Sequence, residues 1–327
     1  MTTRRSSLSG TLAALIGVCP SSPLVKVYCT FIRRPLYRRP SGAATRLFVP
    51  DLTGQGSRPY RSVVRYLVYA VAGFRRYATY RQATLAAVFT NCVFGFLRSA
   101  LLLAVAGASA GAVAGYDEQQ LATFVWVGQG LIGVVSLWSP PELADRIRSG
   151  DVVADLLRPI DLVWQLLAMD LGRATFALMT RLVGPIVVGA LAFDLFAPRR
   201  FSTYPLFACS LLLATVICFG CRYLVNAAAY WLLDARGPQI AWTLCNGVLG
   251  GLYFPLWFLP SGAALLIVVA TPFPSIIQLP LDILVERGSP EQQVVLLSVQ
   301  AVWAIVMLAV CREVQRRGER RLVLQGG

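Results

Sequence analysis

Of the chain's 327 residues 56% are hydrophobic and 14% charged, against about 45–50% apolar and about 25% charged in a soluble domain. That balance excludes an ordinary water-soluble core. The net charge of +14, from 30 Lys+Arg against 16 Asp+Glu, fits anionic lipid or nucleic acid, and the absence of histidine removes the commonest general base and metal ligand.

Residues 1–60 are basic and contain Pro and Ser. TRRSSL (Thr3–Leu8) has the twin arginine of an export signal, but the apolar run behind it is short and Ser7 stands where a large apolar residue belongs. Ile16–Cys19 also lacks the small residue of a lipoprotein site. Residues 1–60 are therefore expected to form a disordered tail outside the fold. Residues 61–81 interleave Arg61, Arg65, Arg75, Arg76 and Arg81 with Tyr66, Tyr69, Phe74, Tyr77 and Tyr80. Snorkelling arginines among aromatics predict a helix lying in the inner headgroup layer, an additional short span being the alternative.

A bilayer span needs roughly 20 mostly apolar residues. Windows of that kind predict spans at about 83–107, 121–138, 174–196, 205–231, 239–258 and 293–311. The fold class is therefore an all-α membrane protein with about six transmembrane helices. Positive charge orients it. Fourteen basic residues precede Ala83 and five follow Cys311, whereas the segments assigned outside carry only Arg199, Arg200 and Arg287. The positive-inside rule then places both termini in the cytoplasm and the protein in the inner membrane, with the Arg199–Arg200 pair a local exception. The basic clusters flank apolar segments, so lipid headgroups rather than nucleic acid are the expected contact. The cysteines Cys19, Cys29, Cys92, Cys209, Cys218, Cys221, Cys245 and Cys311 lie mostly in apolar stretches, and the Cys218–Cys221 CxxC has neither a second pair nor a histidine to complete a metal site. No metal site is expected.

Two segments break the span pattern. The first, SPPELADRIRSGDVVADLLRPID (residues 139–161), predicts two short amphipathic helices. Ser139 is placed to cap a helix opening at Pro140–Pro141, Leu143 and Ile147 share a face, Gly150 stops the helix and Asp151 is placed to cap the next. Its charged, partly apolar surface suits a cytosolic docking partner. The second, residues 250–288, is apolar but interrupted by Pro255, Pro260, Pro272, Pro274 and Pro280. Broken backbone at membrane depth survives only against protein or a cavity, so short re-entrant helices on the outer side are expected before the last span.

IRSGDVVADLLRPID after the second span resembles the cytoplasmic motif of type-2 ABC exporter permeases, in particular a six-span bacterial subfamily. YFPLWFLP…TPFPSIIQLPLDIL resembles the same subfamily's region before the last span, and TYRQATLAAV fits its start. The likeness covers roughly residues 61–320, leaving 321–327 as a short tail. It implies a permease half that pairs with a second half, identical or related, and with two cytosolic ABC ATPase subunits that carry ATP and Mg, this chain binding no cofactor itself. On this likeness Glu142, Asp145, Arg146, Arg148, Gly150, Asp151, Asp155, Arg158 and Pro159 belong to the coupling helix region that touches the ATPase. Pro255, Pro260, Pro272, Phe273 and Pro280 belong to the outer gate. The implied function is ATP-driven efflux or export. The residues agree that the nucleotide site lies elsewhere: the sole lysine, Lys26, follows Val25, so no G-x-x-x-x-G-K-[ST] loop exists.

Polar groups within spans are candidates for the translocation pathway, since charge in the bilayer is costly and usually faces the bundle interior. Arg98 and Asn91, seven residues apart on the first span, head this set, with Asn226 and Asn246 on other spans. Arg181 and Arg222 lie closer to span ends, and snorkelling accounts for them. Two other function classes fit the composition: a transporter or channel without an ATPase, and a membrane-embedded lipid-modifying enzyme.

Overall fold

The computed structural model describes residues 58–108, 114–139, 142–232 and 235–325. The expected N-terminal tail, Cys19, Cys29, Pro140 and Pro141 lie outside them. The described residues are helical, without strands. In chain order the helices are α1 (Arg58–Ala78), α2 (Arg81–Ala108), α3 (Glu118–Val135), α4 (Glu142–Ser149), α5 (Val152–Leu156), α6 (Leu162–Ala177), α7 (Val183–Ala192), α8 (Thr203–Ala227), α9 (Arg236–Leu249), α10 (Ser261–Ala270), α11 (Gln278–Leu284) and α12 (Pro290–Gln325).

Four helices are long and apolar enough to cross a membrane by length and composition: Arg81–Val105, Leu162–Ala192, Thr203–Tyr230 and Pro290–Leu322. The second and fifth expected spans correspond to α3 and α9, which fall short of that measure. α3 opens on the polar Glu118, Gln119 and Gln120, and α9 is only 14 residues long before the turn at Gly250. α3 is nonetheless the centre of the bundle, every residue from Leu121 to Val135 being buried. A capping box fixes its start: the Asp117 carboxylate accepts from Gln120 N–H at 2.7 Å, and the Gln120 side chain accepts from Asp117 N–H at 3.0 Å.

The third span is longer than its apolar run suggested, starting at Leu162 instead of 174. Asp161 caps it, accepting from Val163 and Trp164 N–H. α6 continues through a π-turn, Leu178–Leu182, into α7. Pro185 accounts for the π-turn, because it has no N–H to give the Arg181 carbonyl and its ring crowds that oxygen. Asp170 and Arg173 thereby belong to a membrane-long helix, eight and eleven residues from its start. They are tolerable there as a pair, joined at 2.7 Å.

α1 packs along α6 with two glycines at the crossing. A Cβ on Gly73 would strike the Met169 carbonyl, and one on Gly172 the Ala70 carbonyl. Small residues that let backbones meet are a membrane packing device. Because the obstructing atoms are backbone, no rotamer change relieves the clash. Gly172→Ala is expected to cost on the order of 1–3 kcal/mol and to lower the thermal midpoint of the detergent-purified protein, with Gly172→Val lowering it further. An unchanged midpoint for both would show that α1 does not press on α6.

α8 and α12 form the other tight pair, laced by polar side chains. Ser210 donates to Gln300 at 2.7 Å, Cys311 to the Gly220 carbonyl at 3.4 Å, and Tyr223 and Tyr230 both donate to Gln315. Cys218 and Cys221 are buried on α8 as free thiols.

Candidate functional site

Residues 142–156 fold into two short helices, α4 and α5, as their pattern indicates. Leu143 and Ile147 are buried on one face of α4 against Leu162, Phe219 and Tyr223. Gly150 ends α4 at φ +83°, a conformation that costs glycine least. Asp151 does not cap α5. Its carboxylate accepts from the Ser149 hydroxyl at 2.7 Å, and no side-chain cap bond forms. Ser139 likewise serves the bundle: it bonds Ser136 and accepts from Arg222 Nη1 at 2.9 Å.

The nine residues assigned to the coupling region divide by environment. Asp155 is buried and ion-paired with Arg146, which locks α4 to α5. Glu142 pairs with Arg76 at 2.7 Å and joins α4 to α1. Their hydrogen bonds hold the Arg76 guanidinium above its ordinary pKa, against its partial burial. Asp145, Arg148, Gly150, Asp151, Arg158 and Pro159 are exposed. Beside them the apolar side chains Val153 and Leu157 are 48% and 82% exposed. Sequence reasoning missed Leu157. Its signal was a leucine inside LLRP that no heptad or helix face accounts for.

Beneath α4 lies a cluster of charge. Asp170 takes Arg173 on one oxygen and Arg222 on the other, each at 2.7 Å. Arg173 also donates to the Gly133 and Val134 carbonyls that end α3. One carboxylate therefore joins α3, α6 and α8, and Arg222 extends the link to Ser139. A cavity of about 140 Å³, lined among others by Arg76, Glu142, Asp170, Arg173, Arg222 and Asn226, opens beside it. Arg222 therefore does not snorkel; it is an interior partner.

The four polar groups assigned to the pathway are not brought together. Asn226 accepts from Ala144 N–H at 3.2 Å, holding the first turn of α4 to the end of α8. Asn91 donates to the Gln129 carbonyl at 3.0 Å and pins α2 to α3. Asn246 is wholly buried with its side-chain oxygen and nitrogen unpartnered among the described residues. Arg98, intermediate in exposure, has its Nε buried and without a hydrogen-bond partner.

At the opposite end, of the five residues assigned to the gate, Pro255, Pro260 and Pro272 lie at breaks between helical pieces. Pro255 opens a 3₁₀ turn at Leu256–Phe258, Pro260 precedes α10, Pro272 follows it, and Pro280 sits inside α11. Phe273 packs near the Trp242 ring, centroids 6.1 Å apart. What holds these pieces is a buried carboxylate that the motifs did not single out. Asp282 accepts from Tyr116, from Gln278 at 2.9 Å and from Trp257 at 2.7 Å. Arg287 lies over the Trp257 and Tyr116 rings. Glu286 answers one of the two arginines that broke the charge rule, its carboxylate 3.9 Å from Arg200 Nε, and it accepts from Arg200 N–H at 2.7 Å and Thr203 at 2.8 Å, anchoring the start of α8. Burial would raise the Glu286 carboxyl, but these bonds and the Arg200 charge hold it below the usual range.

The family model for the ABC-2 family transporter protein matches residues 95–326. No curated protein and no solved structure matches the chain.

Proposed function

We propose a mechanism from one premise: the chain belongs to the ABC-2 transporter family, and is a multi-pass membrane permease of an ABC transporter. In this reading α4 and α5 dock a separate cytosolic ATPase, which binds ATP and Mg and does the hydrolysis. Two permease halves, identical or related, enclose the pathway. The charge distribution supports an inner-membrane protein with both termini in the cytoplasm, and the family likeness supports export.

The observation that supports docking is the division within the loop. Arg146–Asp155 and Arg76–Glu142 hold the two helices in place, while Val153 and Leu157 face outward among Asp145, Arg148, Asp151 and Arg158. Apolar side chains ringed by charge are the usual composition of a docking patch. Movement of α4 has a physical route inward. Asn226 ties it to α8, and Arg222 and Asp170 tie α8 to α6 and the end of α3. At the far end the Asp282 network holds the proline-broken segment as a gate.

Leu157→Asp combined with Arg148→Glu tests this. Neither side chain holds the fold, so the detergent-purified permease should melt as wild type. Co-purification with the ATPase encoded beside this gene should fall roughly tenfold or more, since a central apolar anchor is lost and a charge reversed. Undiminished capture of the ATPase would sink the docking assignment.

A further inference from the structure

Beside the cavity that Glu142 and Asp170 line is a second one of different character. Arg76, Tyr77, Tyr80, Ala83, Thr84 and Arg181 line it, in the corner where α1 turns into α2, and its volume is about 240 Å³. In the first cavity each arginine is answered by a carboxylate: Arg76 by Glu142, Arg173 and Arg222 by Asp170. The second is lined by two arginines and no carboxylate. Arg76 is common to both and already spent on Glu142. Arg181, in the π-turn, makes no hydrogen bond or ion pair among the described residues, and its Nε is buried. The Tyr77 and Tyr80 hydroxyls make no hydrogen bond among the described residues either. The stem of Arg181 is held from behind by Gly133 of α3, where a Cβ would stand 2.8 Å from Arg181 Cβ and Cδ. A guanidinium fixed at a cavity wall, with unused hydroxyls on the same wall, is suited to an oxyanion.

The depth of the cavity says which oxyanion. Thr84 is three residues past Arg81, where the first membrane-long helix begins, so it lies roughly 5 Å from that end. The facing wall is level with it, because Val88, one turn further on, meets Gly184. Helical side chains lean toward the helix N-terminus, which directs Arg181 back toward the same rim. Arg75 and Arg81, before and after the corner in sequence, are exposed. From the cavity toward the membrane centre, Leu85 and Phe89 on α2 and Val183 and Val187 on α7 are exposed, each pair one turn apart. Cations at headgroup level thus stand at the head of an open apolar surface.

We propose that this cavity holds the phosphate of an anionic phospholipid. The Arg181 guanidinium is its charge partner, the Tyr77 and Tyr80 hydroxyls are further donors, and the acyl chains lie along Leu85, Phe89, Val183 and Val187. A free phosphate would answer the cations but leave the apolar rows without a role. The assignment is independent of whether an ATPase docks on α4 and α5.

The full-length protein, delipidated in mild detergent, is titrated with phosphatidylglycerol or with phosphatidylcholine, whose choline cancels the phosphate charge. Native mass spectrometry reads the affinity of the first bound lipid, and inorganic phosphate is added as a competitor. Phosphatidylglycerol should bind roughly tenfold tighter than phosphatidylcholine, an advantage largely kept in Arg181→Lys and lost in Arg181→Gln. Ala83→Glu brings a carboxylate to the cavity from an exposed alanine and should abolish the same advantage, so the test stands even where Arg181→Gln does not fold. Inorganic phosphate at the concentration of the lipid should displace nothing. Equal affinities for the two lipids, or an advantage that Arg181→Gln or Ala83→Glu leaves unmoved, would overturn the proposal. Displacement by equimolar inorganic phosphate would overturn it in favour of a free anion.

Discussion

Asp170→Asn should cost about 3–5 kcal/mol, the usual consequence of removing one partner of a buried ion pair. The side chains of Asp170, Arg173 and Arg222 are only 9%, 4% and 12% exposed. The cluster carries one negative and two positive charges. Asparagine leaves the two guanidiniums facing each other with no counter-ion, and its amide hydrogens point at one of them. Arg222→Gln removes a cation instead. It leaves the neutral Asp170–Arg173 pair, with Arg173 still bonded to the Gly133 and Val134 carbonyls. It should therefore cost far less than Asp170→Asn. The double variant Asp170→Asn/Arg222→Gln, which relieves the repulsion, should recover part of the loss. Thermal unfolding of the detergent-purified proteins reads the order directly. If Asp170→Asn melts no lower than Arg222→Gln, charge balance does not govern the cluster. The double variant also separates folding from coupling. With the link from Ser139 through Arg222 to Asp170 gone, ATPase capture should persist while transport-linked hydrolysis falls.

The same cluster shows where sequence reasoning ran out. Four of the spans, the two short helices α4 and α5 and the proline-broken segment could be read because each is a local pattern: apolar length, a Leu143–Ile147 face, a glycine stop, prolines in an apolar run. Asp170 has no such local pattern around it. Its role depends on Arg222, 52 residues away, and on the end of α3. Ser139 and Asp151 have the residue types of helix caps, yet Arg222 and Ser149 recruit their side chains instead. Propensity names what a side chain can do and leaves neighbours to decide which option wins. Asn226 illustrates the point for polar groups in spans. Intramembrane amides are costly, which groups it with the pathway, yet its oxygen is committed to the first turn of α4. Gly73 and Gly172 lie far apart in sequence, and only the crossing of α1 with α6 pairs them.

Asp282 makes the second large effect, and the size of it should depend on what replaces the carboxylate. Three donors converge on it, from Tyr116, Gln278 and Trp257, and Asp282, Tyr116 and Gln278 are all wholly buried. Asp282→Ala orphans the Tyr116 hydroxyl and the Trp257 N–H and opens a cavity, while Gln278 keeps its bond to Tyr116 at 2.9 Å. Each buried donor left unpaired costs about 1–3 kcal/mol, so a total of about 3–5 kcal/mol is expected. Asp282→Asn keeps one accepting oxygen and turns an amide nitrogen toward a donor, losing about one bond while removing the cost of burying charge. It should therefore be much milder. pH gives an independent check. Burial raises the Asp282 carboxyl above the usual range, opposed by bonds from Trp257, Tyr116 and Gln278 and by the Arg287 charge. A carboxyl raised in the folded state binds its proton there at a pH where the unfolded chain has released it. Its contribution to stability is thus present at acid pH and declines as pH rises from the ordinary carboxylate value through the raised one. Wild type should lose stability across that interval relative to Asp282→Asn, which has no proton to release. A midpoint difference between the two that does not move with pH would mean that Asp282 is solvated and that the proline-broken segment is held by packing alone. If it moves as expected, the segment carrying Pro255, Pro260, Pro272 and Pro280 is pinned at one buried carboxylate. Loosening that point by Asp282→Ala should then open the far end without touching the ATPase side.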